Sequence, residues 1–200
     1  MRQGAIALWC VSLALAGCAT PPRNIDDACA IFEEKGGWYD DATDAYEKWG
    51  VPVHVQLAIL RQESRFIHDA KPPRRKLLWV IPWTRRSSAY GYAQAKDGTW
   101  DWYRAKTGNG GADRDDFEDA ADFIGWYGNM TYRLNGISRW DAYNQYLAYH
   151  EGHGGYRRGA YKRKPKVRAV ARKVADNAAR YYQQIRRCED DLEGPWWWPF

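Results

Sequence analysis

The chain has 200 residues, 45% of them hydrophobic and 28% charged, a balance that describes one ordinary folded domain with tails. Its formal net charge of +5 is unevenly placed: from Arg157 to Arg187 there are twelve Lys or Arg and a single acid, Asp176. Such a face suits an anionic partner, whether wall polymer, lipid headgroup or nucleic acid, and the first residues of the chain exclude the last of these. The aromatic fraction is 16%, with 12 Trp and 14 Tyr, more than a core requires and suited to stacking on sugar rings or to a membrane interface.

In chain order, Arg2 precedes an apolar run from Ala5 to Ala16 that is too short to span a bilayer and has the flanks of a secretory signal. Its ending, Leu15-Ala16-Gly17-Cys18, resembles the lipobox of bacterial lipoproteins, in which the cysteine is lipidated; the alternative is a plain signal peptide with an incidental cysteine. On this reading residues 1–17 are a lipoprotein signal peptide, residues 18–24 a lipidated tether, residues 25–188 the folded domain and residues 189–200 a Trp-rich tail. The protein then lies in the cell envelope on the periplasmic side, anchored to a membrane through Cys18, and nucleic acid is not a partner. In a Gram-negative cell, Ala19 is compatible with sorting to the outer membrane. Cys29 and Cys188 remain as a pair in an oxidising space, the alternative being two separate buried thiols.

Helical patterns are predicted at about 25–35 and 38–49, and next in a segment with Pro52 near its first turn. That third segment carries "QLAILRQESRF" at 56–66. At 3.6 residues per turn Glu63 shares a face with Val55, Ile59, Leu60 and Phe66, so its carboxylate points where the core should be. Burial favours the protonated form, and a carboxyl still protonated near neutral pH can act as a general acid. From His68 to Ser88 the helical pattern breaks into a loop or small hairpin. "AYGYAQ" and a short aromatic-rich helix, "DGTWDWYRAKTG", follow. A helix is predicted at about 115–134, then "SRWDAYNQYLAYHEG" with Ser138 and Asp141 placed as a variant capping box. Pro165 opens a last helix whose apolar stripe is Val167, Val170, Val174, Ala178, Tyr181 and Ile185. The absence of internal repeats and of strong alternation makes the fold mainly α.

"ESRF" at 63–66, "GYAQ" at 91–94 and "AYHEG" at 148–152 stand in the order of the three motifs of lytic transglycosylases with the SLT domain, usually E-S-x-F, G-L-M-Q and A-Y-N-x-G. The chain resembles that family from about Asp26 to Cys188, and more closely its lipoprotein members with "AYHEGHGGY". The resemblance implies a single lysozyme-like domain, related to goose-type lysozyme, with little or no β-structure. It further implies cleavage of the MurNAc–GlcNAc β-1,4 bond of peptidoglycan with formation of 1,6-anhydromuramic acid ends, by a monomer with no metal or organic cofactor.

By the same resemblance Glu63 is the catalytic acid and base, Gln94 lies in the glycan cleft and Tyr149 hydrogen-bonds near Glu63. Ser64 and Gly91 let the backbone approach the substrate, while Tyr92 and His150 stand where the family has Leu and Asn and alter the cleft at those points. His150 and His153 form H-x-x-H without a third ligand, so no metal site is expected. Two other functions fit the residues. A hydrolytic muramidase on the same fold needs a second acid, for which Asp97 and Asp101 are candidates, and a non-catalytic peptidoglycan-binding lipoprotein needs none.

Overall fold

The computed structural model describes residues 20–72, 74–77, 81–85 and 87–192. Residues 1–17, expected to be a signal peptide, Cys18, and the tail with Trp196–Trp198 lie outside the described residues. Helix α1 (Ala28–Glu34) is capped by the Asp27 carboxylate, which accepts from the backbone N–H groups of Cys29 and Ala30 at 3.0 and 3.3 Å. It is followed by α2 (Trp38–Trp49) and α3 (Val53–Ser64), with Pro52 at the N-cap of α3. A short antiparallel hairpin, β1 (Arg74–Leu77) with β2 (Ile81–Arg85), pairs Arg74 with Arg85, Lys76 with Pro82 and Leu77 with Ile81. The break in helical pattern after His68 is therefore a hairpin, the only two-stranded sheet among the described residues.

Helices α4 (Asp97–Thr107), α5 (Phe117–Asn135), α6 (Ala142–Glu151), α7 (His153–Arg157) and α8 (Pro165–Leu192) complete a mainly α domain, with a 3-10 turn at Ala160–Arg163 before α8. Asp141 is itself the N-cap of α6, accepting from Asn144 N–H at 3.0 Å, so the helix starts three residues later than a Ser138 cap would place it. Ser138 instead accepts from Trp140 N–H in the preceding turn. None of the described helices is long and apolar enough to cross a membrane.

Helix α5 runs through the centre, and its inward face is close-packed. Gly125 lies against α2, where an added Cβ would sit 2.9 Å from the Trp49 ring and 3.2 Å from the Ala45 carbonyl. Only a residue without a side chain lets these two helices approach so closely. Beside that contact, Asp122 accepts from Tyr103 Oη at 2.6 Å, Trp49 Nε1 at 2.7 Å and Lys48 Nζ at 2.8 Å, so a carboxylate on a packed face is satisfied by three donors. Of the aromatic-rich segment in α4, Trp100 and Tyr103 are core residues and Trp102 packs half-buried on Trp126 at 4.6 Å.

The stripe of α8 is buried at Val174, Ala178, Tyr181 and Ile185, and half-buried at Val167 and Val170. The helix crosses α1, α3 and α6, and the Tyr181 hydroxyl donates to the Ile25 carbonyl. A disulfide joins Cys29 in α1 to Cys188 in α8, Cα atoms 6.2 Å apart across 159 residues. In the chain-entropy account, closing so long a loop contributes roughly 5 kcal/mol, less any strain. Pro22, two residues short of the expected end of the tether, is already buried, and α8 runs on to Leu192 beyond the expected domain boundary at 188.

Candidate active site

Glu63 lies in the last turn of α3, and the chain reverses directly behind it. Arg65 and Phe66 both adopt the left-handed conformation, at φ 56° and 62°. Phe66 thereby turns back and is fully buried, although α3 has ended two residues earlier. Its place in the core comes from this reversal and not from the helical spacing that the sequence suggests. Among the described residues the third non-glycine with positive φ is Gln94, at 51°. The three such positions fall in two of the segments around the candidate site, as sparsely populated backbone conformations tend to do.

The Glu63 side chain is only partly exposed, and burial raises its carboxyl from the ordinary 4.5 to about 7. The opposing influence is a hydrogen bond from the Tyr146 hydroxyl, which favours the ionised form. No cation among the described residues pairs with it. Arg61, two residues back, is turned toward Asp26, and Arg65 is exposed. Tyr149, the residue expected to bond near Glu63, donates instead to the carbonyl of Ala93, while lying close enough for the Glu63 charge to oppose its own ionisation. Tyr146, one turn earlier on α6, is the partner that the sequence reading missed.

The "GYAQ" loop is a tight turn closed by a bridge between Tyr90 and Ala95. A Cβ at Gly91, where φ is 77°, would come within 1.9 Å of the Arg114 carbonyl oxygen. The close approach that demands glycine is thus to the chain's own backbone, not to a substrate. Tyr92 is 3% exposed and packs edge-on against Trp38 and Phe117, so it belongs to the core and not to the cleft wall. Ser64 is 5% exposed, and its hydroxyl donates its one proton to the Leu60 carbonyl, one turn back in the helix. Gln94 Nε2 donates to the carbonyls of Ala70 and Gly91 at 2.8 and 2.9 Å. These bonds tie the loop to the reversal after α3 and leave Oε1 as the free acceptor of its amide.

A cleft of ≈ 180 Å³ opens between this loop, α5 and the end of α6, lined by Gln94, Thr99, Phe123, Tyr127, Tyr149, His150 and Glu151 among others. Glu63 does not line it; Tyr149 is the link, facing the cleft and standing near the carboxyl. Glu151 is the cleft's own carboxylate, its side chain 4% exposed, bonded to Lys164 Nζ at 2.8 Å and to His150 Nδ1 at 3.1 Å. Of the two acids expected as candidates for a hydrolytic second carboxylate, Asp97 is paired with Arg114 at 2.9 Å and Asp101 is exposed on α4. His153 stacks on Tyr127 at 4.3 Å and meets Thr131 Oγ1 at 3.0 Å, and among the described residues no group of three His, Cys, Asp or Glu could hold a metal. Two larger cavities, ≈ 490 and ≈ 380 Å³, lie around His54, Trp140 and Tyr182. They sit at the other end of α3, nine residues or about 13 Å from Glu63 along the helix axis.

The profile of a family described as the transglycosylase SLT domain matches residues 6–188, nearly the whole chain. The chain belongs to this family. Transglycosylase-type processing of peptidoglycan in the cell envelope is the general activity that the SLT domain brings with it. No curated protein and no solved structure matches the chain.

Proposed function

We propose that this SLT-domain protein is a lytic transglycosylase that cuts the MurNAc–GlcNAc β-1,4 bond of peptidoglycan with Glu63 as its one acid and base. The observation that carries this reading is a carboxyl group placed among apolar and tyrosine side chains, free of ion pairs among the described residues and raised to about 7, so that both of its protonation states are available near neutral pH. In the first step protonated Glu63 gives its proton to the glycosidic oxygen, the C1–O bond breaks, and the acetamido oxygen of MurNAc stabilises the cation at C1. In the second step ionised Glu63 takes the proton of the C6 hydroxyl, whose oxygen bonds to C1 and closes the 1,6-anhydro ring. Glu63 ends protonated and no water is consumed.

Tyr146 fits both steps, since its hydroxyl supports the carboxylate between them without adding a charge. Gln94, Tyr149 and His150 line the cleft by which the glycan approaches, His150 where the motif usually has Asn, and the scissile oxygen has to pass Tyr149 to meet the partly exposed Glu63 carboxyl. Hydrolysis would need a second carboxylate to hold water, and the one lining the cleft, Glu151, is already engaged by Lys164 and His150. We place the protein on the periplasmic side of the envelope as a monomer, anchored through a lipid on Cys18, with no cofactor.

The test is a mass spectrum of the muropeptides released from purified peptidoglycan, with Glu63→Gln alongside. Anhydro products, one water lighter than hydrolytic fragments and absent with the variant, are expected. Reducing ends would make the protein a muramidase, and cleavage persisting in Glu63→Gln would remove Glu63 from the mechanism. Binding without cleavage by folded wild-type protein would leave a glycan-binding lipoprotein.

A further inference from the structure

Helix α8 carries a row of charge that takes no part in the cleft. Lys166, Lys173, Arg180 and Arg187 recur every seven residues, and all four are exposed. Seven residues make two turns less about 20°, so the four stand in a single file that runs about 31 Å along the helix with a slow drift. The buried stripe of Val174, Ala178, Tyr181 and Ile185 lies on another side of the helix, and the larger of the two cavities around His54 opens at Ala178 and Tyr182, away from the file. Between Lys166 and Arg187 the helix bears seven Lys or Arg and one acid, Asp176. Among the described residues Lys166, Arg172, Lys173 and Arg187 have no ion pair, and Arg180 alone of the file has one, with Asp26 at 3.2 Å.

The same helix receives the start of the domain. Beside that ion pair, the Asp26 carbonyl accepts from Gln184 Nε2 at 3.1 Å, and the Tyr181 hydroxyl holds the Ile25 carbonyl. Cys18 stands seven residues before Ile25, a separation that the chain spans with at most about 25 Å. A membrane that holds a lipid on Cys18 therefore lies within reach of the file. The shape also suits a bilayer: a straight, convex ridge of evenly spaced cations meets a flat sheet of charge along its whole length, whereas a small ligand needs a concavity. Negative charge is gathered elsewhere, at α2 and the start of α5, where burial and the neighbouring Glu118, Asp116, Asp40 and Asp44 raise the Asp41 carboxyl to about 6.

We infer that the Lys166–Arg187 face of α8 docks on an anionic phospholipid bilayer and holds the domain against the membrane with its cleft turned away. The inference rests on the reading of Cys18 as a lipid anchor, because that reading brings a membrane within reach. The direction of the cleft follows from the layering. Helix α8 packs on α3 and α6 with its file outward, and the cleft lies beyond those two helices, against α5 and the "GYAQ" loop. A lipid on Cys18 alone leaves the domain free to turn about its tether. The basic file fixes which side faces the wall, and a lipid joined to a basic patch is the pairing of signals that gives stable attachment.

The test uses the mature protein, purified from membranes and reconstituted into vesicles of phosphatidylcholine with or without about one third phosphatidylglycerol. With Cys18 acylated and Cys29 bonded to Cys188, Ala169→Cys, at an exposed position beside the file, is the one free thiol and takes a donor dye, with an acceptor dye on the lipid headgroups. Energy transfer is expected to be about twofold higher in the anionic vesicles. It should fall to the phosphatidylcholine level with Lys166→Glu and Lys173→Glu together, or in about 1 M salt, where the Debye length is about 3 Å. A dye on Gly110→Cys, between α4 and α5, should show no such difference. Both lysines are exposed, so the double reversal should keep muropeptide release from purified peptidoglycan within about twofold of wild type. Transfer from Ala169→Cys that is equal in the two vesicles, or that survives the double reversal, would overturn the inference. So would a reversal that weakens binding to isolated peptidoglycan and leaves the vesicles unaffected, which would give the face to wall polymer. An unacylated mature mass would remove the lipid anchor instead. Salt-sensitive sedimentation of that protein with phosphatidylglycerol vesicles, lost in the double reversal, would then keep the bilayer contact, and its absence would end it.

Discussion

His54 and Glu63 stand at opposite ends of α3 and are acted on by the same force with different consequences. Burial lowers His54 from its ordinary 6.5 to about 4, and raises Glu63 from 4.5 to about 7. Both are therefore neutral at pH 5–6. His54 is packed among rings, 5.3 Å from Trp140 and 5.1 Å from Tyr182, and burial keeps it neutral well below its ordinary 6.5. Glu63 has the Tyr146 hydroxyl to support its ionised form, and it changes protonation state near neutrality. Desolvation alone makes a group inert. Desolvation with one well-placed donor makes it an acid that can also become a base.

The largest expected effect separates the two in activity. Glu63→Gln should lower peptidoglycan cleavage by about 10²–10⁴-fold, the usual worth of a general acid–base, while His54→Phe should leave the rate within about twofold. A muropeptide release assay on both variants decides it, and equal losses would mean that the burial of the two residues serves the same structural end.

The next effect is in stability against pH, where the signs are opposite. A carboxyl raised on folding contributes fully below 4.5, and its contribution is lost as the pH rises toward 7. A histidine lowered on folding contributes fully above 6.5, and its contribution is lost as the pH falls toward 4. Between pH 4.5 and 6.5 the two slopes oppose each other. Glu63→Gln should leave a protein that gains stability with rising pH across that window, and at pH 8 it should be more stable than wild type by about 2–3 kcal/mol. His54→Phe should give the reverse slope. Urea denaturation at pH 4.5, 6.5 and 8 reads both. Parallel curves for the three proteins would show that neither group carries the shift.

The smallest effect tests what distinguishes the two ends. Removing the Tyr146 hydroxyl takes away the one influence that lowers the Glu63 pKa, so Tyr146→Phe should move the alkaline limb of the kcat/KM profile to higher pH by up to about one unit. A shift to lower pH would mean that the tyrosine stabilises the protonated carboxyl instead.

Much of this architecture is legible in the sequence because it is local. The periodicity of α8 and the inward placement of Glu63 follow from helical spacing, whereas the first helix, expected from about residue 25, starts at Ala28 behind the Asp27 cap. The partner of Glu63 is not legible in this way. Tyr143, Tyr146 and Tyr149 all lie on α6, and which of them meets Glu63 depends on how α6 crosses α3. The motif tyrosine supports the "GYAQ" loop through Ala93, and the tyrosine one turn earlier meets the acid. The glycine of that loop misleads for the same reason: Arg114, which it approaches, is 23 residues away and nothing local marks the encounter. Tyr92 reads as a cleft residue by its motif position, but packing against Trp38 and Phe117, from two other helices, makes it part of the core.

The bridge between Cys29 and Cys188 has a mechanical meaning as well as a thermodynamic one. It ties together the places where the two ends of the described chain leave the domain, so a pull on residue 20 against residue 192 travels through two sulfur atoms and bypasses everything between them. The cleft, Glu63 and the tyrosines of α6 all lie within that bypassed stretch. A pull between the two ends of the described chain therefore leaves the active site slack.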